Sequence, residues 1–380
     1  MRVLELAGLG PVPFAATMLA DLGAEVVRVD RPAAAMGMEF ADAESEILFR
    51  GRRSICLDLS QAGGRDVLLR MCESADVLLE GNRPGVMERL GVGPEQCAAA
   101  NPALIYARST GWGQDGPLSP RAGHDINYTA VSGALEAIGE PGRKPVPTLN
   151  LISDFGGGGA FLVIGVVSAL LERVRSGRGQ VVDSAMVDGV SYLLASIFTM
   201  HNVGTWSLER GSNLLDGGAP FYDTYQCSDG RYVAIGALEP KFWRCFVETA
   251  DVPVDPDTQW DRRTWPELRK LLEDVFRSRT RDEWAALLEG VDACVSPVLS
   301  VAEAPSHRHL VSRRTHLTRG AGAEPAPAPR FSRTTTTADS RSERAGASTT
   351  QVLTEYGFGS AEIDRLAGEQ AIFQAMKESV

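Results

Sequence analysis

The side chains able to move protons are few, and they fall in three short motifs. The chain has five histidines. His307, His309 and His316 crowd a polar stretch, and His201 lies in a loop-rich region. That leaves His124, in Gly123-His124-Asp125-Ile126-Asn127-Tyr128, beside a glycine and a carboxylate. An imidazole titrates near neutral pH and suits general acid–base work; a structural histidine would look the same. The second motif is Asp154-Phe155-Gly156-Gly157-Gly158-Gly159. One reading makes Asp154 a helix N-cap with glycines as a flexible lead-in. The other makes it a carboxylate that exchanges a proton with an adjacent carbon. In that reading the N–H groups and dipole of the helix start stabilise a developing oxyanion. The third motif is Leu238-Glu239-Pro240, directly after a hairpin strand. Glu239 is either a polar end-of-strand residue or a third member of the acid–base set.

Other chemistries are poorly served. There is no G-x-S-x-G elbow and no Walker loop, and the histidines and carboxylates do not fall at metal-ligand spacing. Gly8-Leu9-Gly10 follows a strand, and Asp30 ends the next one, which is half of a dinucleotide fingerprint. Pro11 and Pro13 stand in the loop instead of the third glycine, and prolines remove the N–H groups that cradle a pyrophosphate. Arg31 reads better as a phosphate contact. The six cysteines form no C-x-x-C pair and read as small, mostly buried thiols in a reducing compartment. A net charge of -11 argues against a general nucleic-acid binder. The basic residues are almost all Arg, whose planar fork suits phosphate. Arg28, Arg31, Arg50, Arg52, Arg53, Arg83 and Arg89 lie in the first quarter, as solvated charge or as part of an anion site. The apolar run 159–171 is too short to span a bilayer. No signal-peptide layout or peroxisomal address is present, so the expectation is a soluble cytoplasmic protein with no membrane or nucleic-acid partner.

These motifs need a scaffold, and the first hundred residues supply a β-α-β-α pattern. Strands are expected at 3–6, 25–29, 54–59, 76–79 and 104–107, with helices at 14–22 and 61–72. Short strands separated by helices imply a parallel sheet covered on both faces. Helices are expected at 160–171 and 182–197. The texture then changes to a hairpin, 221–227 and 231–236, with Asp229-Gly230 in its turn. Helical stretches follow at 240–250, 266–277 and 281–289. Residues 320–350, rich in Ala, Pro, Ser and Thr, read as an extended or mobile connector, and helical spacing resumes from 360. A chain of 380 residues suggests two domains.

Taken together, the motifs resemble the α-methylacyl-CoA racemases of the family III CoA-transferase superfamily. The carrying segments are 3–8, 20–32, 82–91, 111–114, 123–128, 150–158, 179–183, 217–220 and 236–240. The resemblance implies an α/β fold, with a Rossmann-like parallel sheet in a large domain plus a smaller α+β domain, in an interlocked homodimer. It implies a large CoA-binding domain over 1–190, a linker 191–221, a small domain 222–300, a return linker 301–350 and C-terminal helices 351–380. It places the active site between the large domain of one subunit and the small domain of its partner. His124 and Asp154 match the catalytic pair, and Glu239 the residue that supports the histidine. Asp125 and Tyr128 match residues near the thioester end of CoA, and Arg31, Arg83 and Arg89 those that hold its phosphates and adenine end. The reaction implied is inversion at C2 of a 2-methylacyl-CoA by two-base proton transfer, without metal or cofactor. Met186 and Tyr192 either line an acyl channel or belong to the core. Residues 33–48 do not align, and the acyl group stays open.

Three alternatives compete. A CoA-transferase of the same superfamily would use Asp154 as a nucleophile, a mechanism with no need of His124 and Glu239. An NAD-dependent oxidoreductase is disfavoured by Pro11 and Pro13. A catalytically silent CoA-binding protein would lack the acid–base pair, which is present.

Overall fold

The computed structural model describes residues 1–32, 46–320, 322–336, 338–339 and 342–375. Twelve strands occur among the described residues: β1 (Arg2–Leu6), β2 (Glu25–Asp30), β3 (Arg52–Leu57), β4 (Val77–Glu80), β5 (Ile105–Thr110), β6 (Val181–Ala185), β7 (Tyr222–Gln226), β8 (Tyr232–Gly236), β9 (Val295–Pro297), β10 (His316–Arg319), β11 (Gly322–Pro325) and β12 (Ile372–Phe373). The chain divides into two compact units, 1–132 with 148–194 and 316–380, and 133–147 with 195–315.

The first unit is a seven-stranded sheet in the order β12-β3-β2-β1-β4-β5-β6, parallel except for β12. Its strands alternate side chains between two apolar layers, as a pleated sheet buried on both faces requires. Leu4 and Leu6 of β1 join Val27, Ile55 and Leu78 in a core with the helix Ala62–Cys72 and the C-terminal helices Thr349–Glu355 and Ser360–Gly368. Val3, Val26 and Val77 face the other way, against Val12, Leu19, Leu162 and Val166 of the helices Pro11–Asp21 and Phe161–Ser176. The chain runs outward from β1 to β2 and β3, then returns to place β4 on the other side of β1. This puts the topological switch point between β1 and β4.

Several local expectations change. The helix expected over 182–197 begins as a strand, because Val181 and Val182 pair with Tyr106 and Ala107 of β5; helices Met186–Leu193 and Ala195–Asn202 follow. The helix expected from 160 starts earlier. A π-helical segment, Leu151–Ala160, runs without a break into Phe161–Ser176. These 26 residues are long and apolar enough by composition to cross a membrane, although Leu162, Val163, Val166 and Ala169 are packed in the sheet core. The connector over 320–350 is tied down in its described part. β10 and β11 form a hairpin, Gly346 and Ser348 donate their amides to Ser54, and Glu343 accepts from the Ser54 amide. Of the unaligned stretch 33–48, residues 33–45 lie outside the described residues. Arg28, Arg50 and Arg52 are buried rather than solvated, paired with Asp30, Asp21 and Glu5.

The second unit is a three-stranded antiparallel sheet, β7-β8-β9. Its hairpin turns at Asp229-Gly230, where Gly230 adopts φ 77°. Helices Pro240–Thr249, Trp265–Arg277 and Arg281–Leu287 enclose an aromatic core of Phe221, Tyr225, Trp243, Phe246, Phe276 and Trp284.

Candidate active site

A cavity of about 390 Å³ opens at the carboxyl ends of β1, β4 and β5. Its walls are Leu9, Gly10 and Pro11 after β1, Gly81 to Pro84 after β4, and Ser109 to Trp112 at the end of β5, with His124, Tyr128, Asp154 and Met186. Open α/β sheets bind ligands at this switch point, where the strand order reverses. Every lining residue belongs to the first unit.

His124 is the N-cap of the helix Asp125–Val131, in extended backbone conformation. Its amide donates to the Asn127 side chain at 3.0 Å, which fixes the helix start, and the residue is solvent-exposed on the cavity. Asp125 turns the other way. It is 6% exposed and does not line the cavity. Its Oδ2 accepts the backbone N–H groups of Ser153 and Asp154, both at 2.8 Å, and its Oδ1 accepts the Thr129 hydroxyl at 3.1 Å.

This changes the expected chemistry of the Asp154 motif. The amides at the start of the helix, expected to receive an oxyanion, are held by Asp125, and the Phe155 amide donates to the Asn150 carbonyl. The glycine run serves packing. A Cβ on Gly158 would stand 2.9 Å from both Pro11 Cβ and Met186 Cγ, and one on Gly159 2.6 Å from Phe14 Cδ1. Phe155 stacks on Phe14 at 4.5 Å. π-helical segments are uncommon and recur at functional sites.

Asp154 itself is half-buried, with its carboxyl against Gly10. Burial pushes its pKa up to about 6; the charge of Asp125 adds to the rise and His124 offsets part of it. Tyr128 is buried, with Trp112 edge-on to its ring at 4.8 Å. Burial, and then the Asp154 charge, push its phenol up to about 12, so it stays a neutral donor. The Trp112 indole N–H is buried without a partner.

The basic candidates divide. Arg83 lines the cavity; Arg31 is at its edge, donating to the side chain of the lining residue Asn82 at 2.7 Å. Arg89, exposed on the short helix Val86–Arg89, is not in the lining. Arg121, which also lines the cavity, was not singled out from sequence, although a basic residue three positions before His124 was a readable signal. Met186 lines the cavity, while Tyr192 is 73% exposed and packs on Phe161. Glu239 belongs to the second unit, where it is the exposed N-cap of Pro240–Thr249 and its carbonyl accepts the Phe242 and Trp243 amides. Asp30, the acid of the partial dinucleotide fingerprint, is buried and bonded to Arg28 and Ser54. Among the described residues, no group of three His, Cys, Asp or Glu side chains could hold a metal ion.

Residues 1–347 match the model of CoA-transferase family III. The chain belongs to that family. Within it, the chain is 47% identical to the Alpha-methylacyl-CoA racemase of Mus musculus over 379 residues, covering 98% of this chain and 96% of that one. Identity to the Alpha-methylacyl-CoA racemase of Homo sapiens is 43%, with the same coverage. A solved structure, a CAIB/BAIF family protein from Brucella suis, superposes with a TM-score of 0.79 at 28% identity, covering 94% of this chain and 98% of that one. The family III fold thus accounts for the parallel sheet and for the cavity at its switch point.

Proposed function

We propose that this protein is an α-methylacyl-CoA racemase that inverts C2 of 2-methylacyl-CoA thioesters by two-base proton transfer. The observation that carries the reading is one cavity with two different proton carriers on its wall: an exposed imidazole, His124, and a carboxyl, Asp154, whose pKa is pushed up to about 6. Likeness along nearly the full chain to proteins named as racemases supports it.

In one direction the Asp154 carboxylate takes the α-proton; the C–H electron pair moves into the thioester as an enolate, and the protonated His124 delivers a proton to the opposite face of C2. In the other direction the roles exchange. No electrons are gained or lost, and both groups return to their starting states after the reverse turnover or exchange with solvent. A base works best with a pKa near the working pH, and a carboxyl near 6 serves as both acid and base around neutrality. Arg83, Arg121 and Arg31 supply cations for the phosphates of CoA; Tyr128 closes the wall beside the thioester. Glu239, at the family position of the carboxylate that supports the histidine, is assigned that role. The working form is a homodimer, a reading supported by the exposed apolar residues Ile164, Val167, Leu171 and Val174 on the helix Phe161–Ser176.

The test is α-proton exchange. Incubation with (2R)-2-methylacyl-CoA in D₂O, without an acceptor acid, gives deuterium at C2 and the 2S epimer. His124→Ala and Asp154→Ala each remove most inversion while CoA binding persists. CoA transfer to an added carboxylic acid without exchange would overturn the reading in favour of a transferase with Asp154 as nucleophile.

A further inference from the structure

We infer that Asp125 is the residue that sets Asp154 in register with His124, acting through the backbone rather than on the substrate. The inference rests on the racemase reading above. His124 and Asp125 are consecutive, so whatever anchors the Asp125 carboxylate also anchors the backbone that carries the imidazole. That carboxylate reaches a segment 28 residues further along the chain and takes two amides with one oxygen, those of Ser153 and of Asp154 itself. Its other oxygen is held by Thr129, one turn along its own helix. Hydrogen bonds to an ionised acceptor are short and about twice as strong as neutral ones. The result is a rigid link from one proton carrier to the other.

A stability role alone fits less well. A carboxylate that only capped the segment Leu151–Ala160 could come from anywhere in the fold. This one comes from the residue next to the first base and ends on the amide of the second. The Asp125 side chain is buried and absent from the cavity wall, so it acts on the site through the Ser153 and Asp154 amides. Its negative charge faces the Asp154 carboxyl and raises that group's proton affinity. The other groups facing the pair are His124, Tyr128 and, beyond Tyr128, Arg83.

Two variants separate geometry from charge. Asp125→Asn keeps an acceptor oxygen for the two amides and turns its NH₂ toward the Thr129 hydroxyl. Asp125→Ala removes both. Inversion and α-proton exchange are measured separately for the (2R) and (2S) thioesters in D₂O, against pH. For Asp125→Ala, kcat for inversion falls by about 100-fold, the scale of an ångström-size misplacement, with KM changed less than about threefold. Exchange from one enantiomer outlasts inversion in this variant, because His124 keeps a second anchor, the Asn127 side chain on its amide, whereas the Asp154 amide loses its partner. Asp125→Asn inverts within about tenfold of wild type, and its acid limb moves to lower pH because the neighbouring charge is gone. Wild-type inversion by Asp125→Ala overturns the inference, as does equal loss of exchange from both enantiomers. If Asp125→Ala does not fold, a loss of more than about 100-fold in kcat by Asp125→Asn, which keeps the acceptor for both amides, overturns it. A wild-type protein that neither exchanges nor inverts would instead refute the racemase reading, so the two failures are distinguishable.

Discussion

Gly10→Ala is a one-carbon change that tests how tightly the Asp154 carboxyl is placed. Gly10 ends the turn from β1 into the helix Pro11–Asp21, with φ 69° and ψ -116°. L side chains rarely adopt that conformation, and holding one there costs about 1–3 kcal/mol. A Cβ at this position would lie 3.0 Å from Asp154 Oδ2 and 3.2 Å from its Cγ. Comfortable contact begins near 3.5 Å, so the carboxyl must withdraw by roughly 0.5 Å. Its backbone cannot follow, because the Asp154 amide is pinned by Asp125 at 2.8 Å. The side chain therefore swings away from Gly10. If an ångström of misplacement costs about 100-fold, half of that costs about tenfold on a logarithmic scale. The expected result is a fall in kcat for inversion of about tenfold, little change in KM, and a loss of about 1–3 kcal/mol in urea unfolding. Gly8→Ala is the control: its Cβ would meet only the Leu6 carbonyl at 3.9 Å, so both activity and stability stay at wild-type values. Wild-type kcat in Gly10→Ala, with stability alone reduced, would refute the claim that contact with Gly10 sets the carboxyl position.

Two further outcomes follow from the buried charges. The native pKa of Asp154, about 6, stands above its ordinary value of 3.8, so the native state holds the proton more tightly and ionisation through that window destabilises the fold. Asp154→Asn should therefore raise stability at pH 7.5, by about 1 kcal/mol after allowance for partial exposure, and the gain should vanish below pH 4; a variant no more stable than wild type at pH 7.5 contradicts the burial argument. Glu5 and Arg52 are both fully buried and paired at 2.8 Å, and burial pushes the Glu5 carboxyl up despite its partner. Glu5→Ala leaves the guanidinium uncompensated and should cost about 3–5 kcal/mol in urea unfolding with KM unchanged; a cost below about 1 kcal/mol would show that the remaining acceptors around Arg52 suffice.

What the chain revealed before folding followed the range of the forces involved. The strands β1 to β5 were readable because a strand buried on both faces is a short apolar run, whatever its partners. β6 was not: Val181 and Val182 fit a helix as well, and only pairing with Tyr106 and Ala107 decides for the sheet. Arg50 and Arg52 read as solvated charge or as part of an anion site because their carboxylate partners, Asp21 and Glu5, are brought to them by the fold; Arg28 pairs with Asp30 two places along its own strand, a spacing that the sequence did carry. His124 stood out through scarcity, and Asp154 through the glycines after it. The purpose of those glycines was hidden, since the atoms they avoid belong to Pro11, Phe14 and Met186, far away in the chain. The oxyanion expectation failed for a similar reason. The amides were counted as free because Asp125, which takes them, lies 28 residues earlier.

That correction bears on why the arrangement persists at all. Two carboxylates held close together repel, and burying one of them costs more still. A fold under selection for stability alone would replace Asp154 with a neutral residue and lose nothing that the sheet requires. The electrostatic cost has one product, a carboxyl whose proton affinity is raised to a pKa of about 6, on the same cavity wall as an imidazole. Asp125 contributes to both halves of that product, since one side chain holds the amide of the second base and adds to the rise in proton affinity that burial causes. Position and proton affinity are therefore coupled, and a substitution at 125 that keeps one while changing the other divides the two contributions.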